Sequence, residues 1–336
     1  MAILDTPRPA ATALFAGLSL RTWKLLGLAL TLVVACVLPF VITSYELLLV
    51  TQVIVYAIAL LGLNILTGYN GQFSLGHGAF YAIGAYVTAI LLDKTGIPYW
   101  ATIPIAGVIC LVVGFLFGLP SLRLEGHYLA LATFALAVAT PQLLKFKDFD
   151  FLTGGVQGIV ITAPSSPGLP MRDDQWLYFF CLLWTIPLFV LAWNLLRGRT
   201  GRALVAIRDH PLAAATMGID LARYKSITFG VSAMYTGIAG ALGALLAQFV
   251  SPDSFDFFLS IRFLVGIVIG GLASMTGAFF GAVFIEFVPN LADYLSKAAP
   301  QAIYGIVLIG CMYLMPNGVM GLIRRLGRHL GRLVAR

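Results

Sequence analysis

Residues 261–288 read IRFLVGIVIGGLASMTGAFFGAVFIEFV. Read as one helix, they make a single long tilted span. Read as two segments meeting at GGLASMTG (270–277), they enter a membrane and return. The choice sets the parity of the chain, and so the side that every later loop faces. That a membrane is involved follows from the surroundings. Residues 25–42, LLGLALTLVVACVLPFVI, carry no charge, and a bilayer core takes roughly 20 residues of helix. The chain is 60% hydrophobic and 10% charged, where a soluble domain carries roughly 25% charged residues. Continuous apolar runs, rather than alternating ones, make the spans helical and exclude a barrel.

Spans are expected at 24–43, 47–67, 78–92, 99–118, 127–144, 176–196, 226–249, 261–288 and 301–315. The first run is too long, and too poor in a small-residue cleavage site, to be a removed signal peptide. The segment after the sixth span holds Arg197, Arg199, Arg202, Arg208, Arg223 and Lys225, and the tail IRRLGRHLGRLVAR (323–336) holds five arginines. The positive-inside rule puts both in the cytoplasm, together with an N-terminus bearing Arg8, Arg21 and Lys24. Six crossings precede the basic segment, so an even number must follow it. Residues 261–288 are therefore read as two short segments. The fold class is an all-α polytopic membrane protein of about ten membrane segments, some glycine-broken or half-spanning. Its parts are a cytoplasmic N-terminal segment (1–23), a transmembrane domain (24–316) with a cytoplasmic loop at 197–225, and a basic cytoplasmic tail (317–336).

Several chemistries are missing. No lysine follows a glycine, so there is no P-loop to hold ATP phosphates. No H-E-x-x-H occurs, the four histidines are scattered, and Cys36, Cys110, Cys181 and Cys311 each lie in an apolar run with no metal or redox spacing. The net charge of +7 reflects basic residues beside spans, not a nucleic-acid surface. Glu46 and Glu286 are placed near span ends, so no ionisable residue is expected at mid-depth, which argues against ion coupling. Energy must then come from another chain, or the pore is passive.

Two segments carry what chemistry there is. GYNGQFSLGHGAF (68–80) puts four glycines and several hydrogen-bonding groups between two apolar runs. Irregular backbone at membrane depth is tolerated only where protein or a water-filled path satisfies it, so Asn64, Asn70, Gln72, Ser74 and His77 are candidates to line a path. A plain cytoplasmic connection is the alternative. SLGHGAFYAIGAY (74–86) is echoed by SMTGAFFGAVF (274–284), which adds Ser274 and suggests an internal repeat; abundant Gly, Ala and Phe make chance matching the other reading. GFLFG (114–118) and GALGALLAQF (240–249) lie inside spans and are read as helix-packing sites. In the basic loop, GRALVAIR forms a short amphipathic helix with Leu204 and Ile207 on one side. DHPLAAATMGID forms a second one, started by Asp209 or His210 with Pro211 in its first turn and ended by Gly218. Such a small-residue knob is shaped to fit a groove on another protein, and Arg208, Asp209, Leu212, Ala213, Ala214, Met217 and Gly218 are its candidate contacts.

These residues resemble a known pattern. The loop is similar to the coupling loop of ATP-binding-cassette importer permeases. GYNGQFSLGHGAFYAIGAY, LTGGVQGI (152–159), GRALVAIRDHPLAAATMGIDLARYK and YLMPNGVMGL (313–322), in that order, resemble the LivM-type permeases of branched-chain amino-acid importers over residues 46–322. The resemblance implies a permease in the bacterial inner membrane paired with a second, homologous permease. It also implies two separate ATPase subunits that carry ATP and Mg, and a periplasmic binding protein that delivers the substrate; no cofactor is implied in this chain. Ala213, Ala214 and Gly218 fall on the Ala-Ala and Gly places of the coupling motif. Pro211 and Thr216 stand where an acidic residue is frequent, so Asp209 or Arg208 would have to make any docking ion pair. Related permeases carry urea, short amides or aromatic acids, and a stand-alone secondary transporter or facilitator is the reading of another class.

Overall fold

The computed structural model describes residues 33–323 and 325, apart from 123, 125, 163, 167, 169, 296 and 298. The segment expected over 1–23, the start of the first span and residues 326–336 of the basic tail lie outside the described residues.

A helical stretch over 33–41 (α1) is followed by α2, Ser44–Asn64. Thr43 and Glu46 close a capping box at the start of α2: the Glu46 amide donates to Thr43 Oγ1 (3.4 Å) and the Thr43 amide to Glu46 Oε2 (3.0 Å). α2 widens into a π turn, Ile65–Tyr69, and the chain then runs irregularly to α3, His77–Ile90, which ends in a second π turn. α4 (Tyr99–Ser121) and α5 (His127–Leu144) follow. After a segment containing a four-residue helix, α6 (Asp150–Thr153), comes α7 (Asp173–Arg197). Two short helices, α8 (Arg199–Asp209) and α9 (Pro211–Thr216), precede the long α10 (Leu221–Ala247).

The stretch that set the parity is broken. α11 runs Phe257–Gly270 and α12 runs Met275–Leu295, with the interruption inside GGLASMTG as expected from the glycine pair. α13 (Pro300–Leu314) ends in a turn before a last helical stretch, α14, over 318–323. Among the described residues seven helical stretches are long and apolar enough to cross a membrane, the last of them α13 and α14 taken together. α3 and α11, at 14 residues each, are shorter. The chain is thus an all-α polytopic membrane protein; the single departure among the described residues is a two-residue antiparallel pair, Ile159–Val160 with Phe249–Val250.

α10 is the axis, packed by α2, α3 and α4 and almost wholly enclosed. Small residues permit this. A Cβ on Gly84 of α3 would fall on the Gly237 carbonyl of α10, and one on Gly240 on the Tyr81 carbonyl. Gly114 meets Ala233 and Gly118 meets Phe229 and Ser226, so both glycine strings expected to pack helices do so. The core around this axis is built from α2, α3, α7, α10 and α11 side chains, such as Leu60, Phe263 and Tyr178.

Candidate functional site

The two irregular points of the fold meet at the end of the molecule that carries α8 and α9. Asn64 joins them. It is fully buried; its Nδ2 donates to the Ser274 carbonyl (2.7 Å) and its Oδ1 accepts from the Ala273 amide (2.9 Å). One side-chain amide thus bridges two backbone groups of the α11–α12 break, where Ala273 is held at φ 54°. Gly68 lies one turn on, and a Cβ there would collide with Asn64 Oδ1 and the Ala273 amide. On the other side of the break Gly271 packs on Gly318 of the PNG turn, at a position where a Cβ on Gly318 would stand 2.6 Å from the Gly271 α-carbon. Ser274 Oγ accepts from the Gly277 amide (3.3 Å) at the start of α12.

The connector 70–76 is held from three sides. Asn70 Nδ2 donates to Gln72 Oε1 (2.6 Å), and Asn70 Oδ1, though buried, has no partner among the described residues. The Leu75 amide donates to Thr133 Oγ1 of α5 (2.9 Å), and the Gly78 amide to Ser260 Oγ of α11 (2.9 Å). His77, buried, reaches Ser74 Oγ through Nδ1 (3.0 Å) and Ser232 Oγ of α10 through Nε2 (2.7 Å). Ser232 spends its own proton on the Gly62 carbonyl (2.6 Å). Its oxygen can therefore only accept from His77, which puts the ring proton on Nε2 and leaves Nδ1 to accept from Ser74. Every group in this chain of four is satisfied by a neutral ring. Ser232 stands eleven residues into α10, about 16 Å along its axis, so the connector dips into the body of the molecule and does not merely cross its rim.

The basic loop grips this assembly. Arg208 splits its guanidinium: Nη1 donates to the Gly68 carbonyl (2.9 Å) and Nε to Asp209 Oδ1 (2.9 Å). Leu204 and Ile207 are buried on the inner face of α8, as their spacing predicts. α9 begins with Pro211 at its first position and ends in a Schellman turn. The Ile219 amide donates to the Ala214 carbonyl (3.1 Å) and the Gly218 amide to the Ala215 carbonyl (3.0 Å), with Gly218 at φ 83°. His210, not Asp209, occupies the cap position, with no side-chain cap bond. Leu212 and Met217 are 82% and 84% exposed and Ala213 is exposed with them, whereas Ala214 is 4% exposed and faces the body. The outward face of the knob is therefore Leu212, Ala213 and Met217.

Two cavities adjoin the connector. One of about 360 Å³ is lined by Phe73, Ser74, Leu75, His127 and Leu264 among others. The second, about 200 Å³, is bounded by Asn70 and Gln72 on one wall and Ile207, Arg208, Pro211 and Lys225 on another. The structure therefore brings Asn64, Asn70, Gln72, Ser74, His77, Ser274 and Arg208 into one region, and leaves Leu212, Ala213 and Met217 pointing away from it. Sequence reasoning missed Ser232, Ser260 and Thr133, which hold the connector from distant helices and carry no local signal. It also missed Arg262, whose letter was visible inside an apolar run, and it placed Glu286 near a span end, whereas Glu286 is the twelfth of the 21 residues of α12.

Residues 45–316 match the family described as branched-chain amino acid transport system, permease component. The chain is 33% identical to the high-affinity branched-chain amino acid transport system permease protein LivM of Salmonella typhimurium, over 90% of this chain and 76% of that protein. It is equally similar to LivM of Escherichia coli, over 89% and 75%. LivH of Escherichia coli is 23% identical over 79% of this chain and 91% of its own length. No solved structure matches. With the match covering most of the chain and both glycine-broken segments inside it, this protein belongs to the family of branched-chain amino acid transport permeases.

Proposed function

We propose that this chain is one of two membrane subunits of an ATP-driven importer for branched-chain amino acids. The observation that carries the reading is the 33% identity to LivM along 90% of the chain. A second permease of the LivH kind pairs with it, since LivH proteins are similar over 79% of this chain and are named as permeases of the same kind of system. Two ATPase subunits dock on the two permeases from the cytoplasm, one of them on α9 of this chain through Leu212, Ala213 and Met217, and a periplasmic binding protein delivers the substrate at the opposite end. The basic residues of 197–225 and of the tail orient the chain, with both termini in the cytoplasm of a bacterial inner membrane. The segments that cross or enter the bilayer number ten when α1, α3 and α11 are counted with the seven long helices, and α3 and α12 are the corresponding members of an internal repeat.

Coupling runs through Arg208. Force on α9 moves α8, Arg208 carries it to the Gly68 carbonyl, and Asn64 carries it on to the α11–α12 break. Asn70, Gln72, Ser74 and His77 lie along this line and respond to it, opening or closing the adjoining path. The test is ATP-dependent uptake of radiolabelled leucine in a strain lacking this gene, with and without the gene restored, and co-purification of the ATPases with the restored chain. Leucine uptake that competes with isoleucine and valine but not with urea, short amides or aromatic acids is the expected result. Uptake without any ATPase would instead make the chain a stand-alone carrier.

A further inference from the structure

Arg262 sits on α11, a helix embedded among membrane spans, and its side chain is exposed on the surface of the subunit. Its depth can be read from its neighbours. Phe263, the next residue, packs its ring on Tyr56 (5.6 Å), and Tyr56 is the thirteenth residue of the 26-residue span Ser44–Tyr69. Phe257, the first residue of α11, packs on Phe134 (4.6 Å), the eighth of the 18 residues of α5. α11 thus starts level with the middle of a span, and Arg262, about one and a half turns on, is still at mid-depth, too deep for its side chain to reach either interface. A guanidinium at this depth does not face hydrocarbon; it faces water or another protein.

α12 packs antiparallel on α11: a Cβ on Gly281 would fall on the Gly266 carbonyl and one on Gly266 would meet Ile285 Cγ2 (3.1 Å), so Glu286, half-buried, comes level with Arg262, one turn of α11 from Gly266. The two do not form an ion pair among the described residues. Tyr304 of α13, its ring packed on Phe284 of α12 (6.1 Å), adds a buried hydroxyl with no partner among the described residues. Phe287, the next residue of α12, and Phe280, two turns earlier on the face of Phe287, are exposed and supply apolar surface along the same helix. The arrangement is a cation and an anion held apart at mid-depth, each with unused hydrogen-bonding capacity, beside an aromatic wall.

We propose that Arg262 and Glu286 form a station on the translocation path that takes a zwitterionic α-amino acid, Arg262 meeting its carboxylate and Glu286 its ammonium, with the aliphatic side chain against Phe280 and Phe287. This rests on the importer reading above and specifies where the substrate is held. A separated pair suits transit: each charge is compensated while the substrate is bound, and both sites are open enough to release it, as conduction requires.

The test uses the full complex, with partner permease, ATPases and binding protein, reconstituted in liposomes. If the wild-type complex shows no ATP-driven leucine uptake, the importer reading itself fails, and that is seen before any variant is compared. Given wild-type uptake, Arg262→Gln and Glu286→Gln are each expected to lower it about tenfold or more, the scale of losing one charged hydrogen bond, with bound ATPase and basal ATP hydrolysis unchanged. Arg262→Lys, which keeps the charge, retains most of the uptake. Because a charge-removing variant could fail to assemble, Arg262→Cys is probed separately: a cationic thiosulfonate reagent should modify it at a rate that depends on nucleotide state and is slowed by leucine. Wild-type uptake in both Gln variants overturns the proposal. So does a cysteine at this position that is unreactive in every state and cross-links to the partner permease, which would make the site a subunit contact.

Discussion

Asn64→Leu isolates the joint between the two breaks. Leucine has the same branched heavy-atom skeleton as asparagine, with two bulkier methyl groups in place of the amide oxygen and nitrogen, so the amide is lost while the branching of the side chain is kept. The buried Ala273 N–H then has no partner, and the Ser274 C=O, which also accepts the first bond of α12, loses its second. The orphaned amide costs about 1–3 kcal/mol and the lost second bond to the carbonyl about 0.5–1.5 kcal/mol, giving roughly 1.5–4.5 kcal/mol in all. For a chain of this size 1 kcal/mol moves the melting midpoint by roughly 2 °C, so the midpoint should fall by about 3–9 °C. The assay is thermal unfolding of the detergent-solubilised protein, paired with amide hydrogen exchange over 271–276. Exchange there should accelerate while exchange in α10 does not. Asn64→Asp keeps the acceptor for the Ala273 amide but sets a carboxylate against the Ser274 carbonyl, so it should not rescue. An Asn64→Leu protein with an unchanged midpoint and unchanged exchange at 271–276 would refute the idea that this one amide closes the break.

Other substitutions test other parts. Arg208→Gln removes the guanidinium bond to the Gly68 carbonyl; a charged hydrogen bond of about 1.5–3 kcal/mol corresponds to roughly a tenfold or greater fall in uptake, measured with ATPase still bound. Leu212→Asp or Met217→Asp should abolish ATPase co-purification with normal expression, because both side chains are exposed; Ala214→Arg, buried against the body, should instead reduce the yield of folded protein. Gly84→Ala should cost about 1–3 kcal/mol or more by forcing α3 off α10, seen as loss of monodisperse protein on size exclusion, whereas Gly305→Ala, which meets nothing within 4 Å, should leave the elution profile unchanged.

What could be read from the sequence, and what could not, divides by distance along the chain. The interruption in 261–288 was legible because a glycine pair in an apolar run weakens a helix locally and because the arginine-rich tail demanded an even number of crossings. The ends of α9 were legible because Pro211 and Gly218 act on their own backbone. Its orientation was not: a helix of Pro, Leu, Ala and Thr has no apolar stripe to say which alanine turns inward, and only packing shows that Ala214 does. Asn64 and His77 stood out as polar letters in oily surroundings, yet their partners Ser274 and Ser232 lie 210 and 155 residues away. No periodicity carries that information. Arg262 was visible as a letter, but its meaning depends on knowing that α11 begins at mid-depth.

The enclosure of α10 bears on how the protein is made. This helix carries Ser226, Thr228, Ser232 and Thr236, all buried against protein, and it is less apolar than α4. Hydrocarbon is a poor host for such a segment, and its natural surroundings are the faces of α2, α3 and α4. Those helices precede it in the chain and leave the ribosome first. Synthesis from the N-terminus therefore readies the socket before the axis arrives, and a shuffled gene that encodes α10 ahead of α2–α4 would present the insertion machinery with a marginal segment and nothing to receive it.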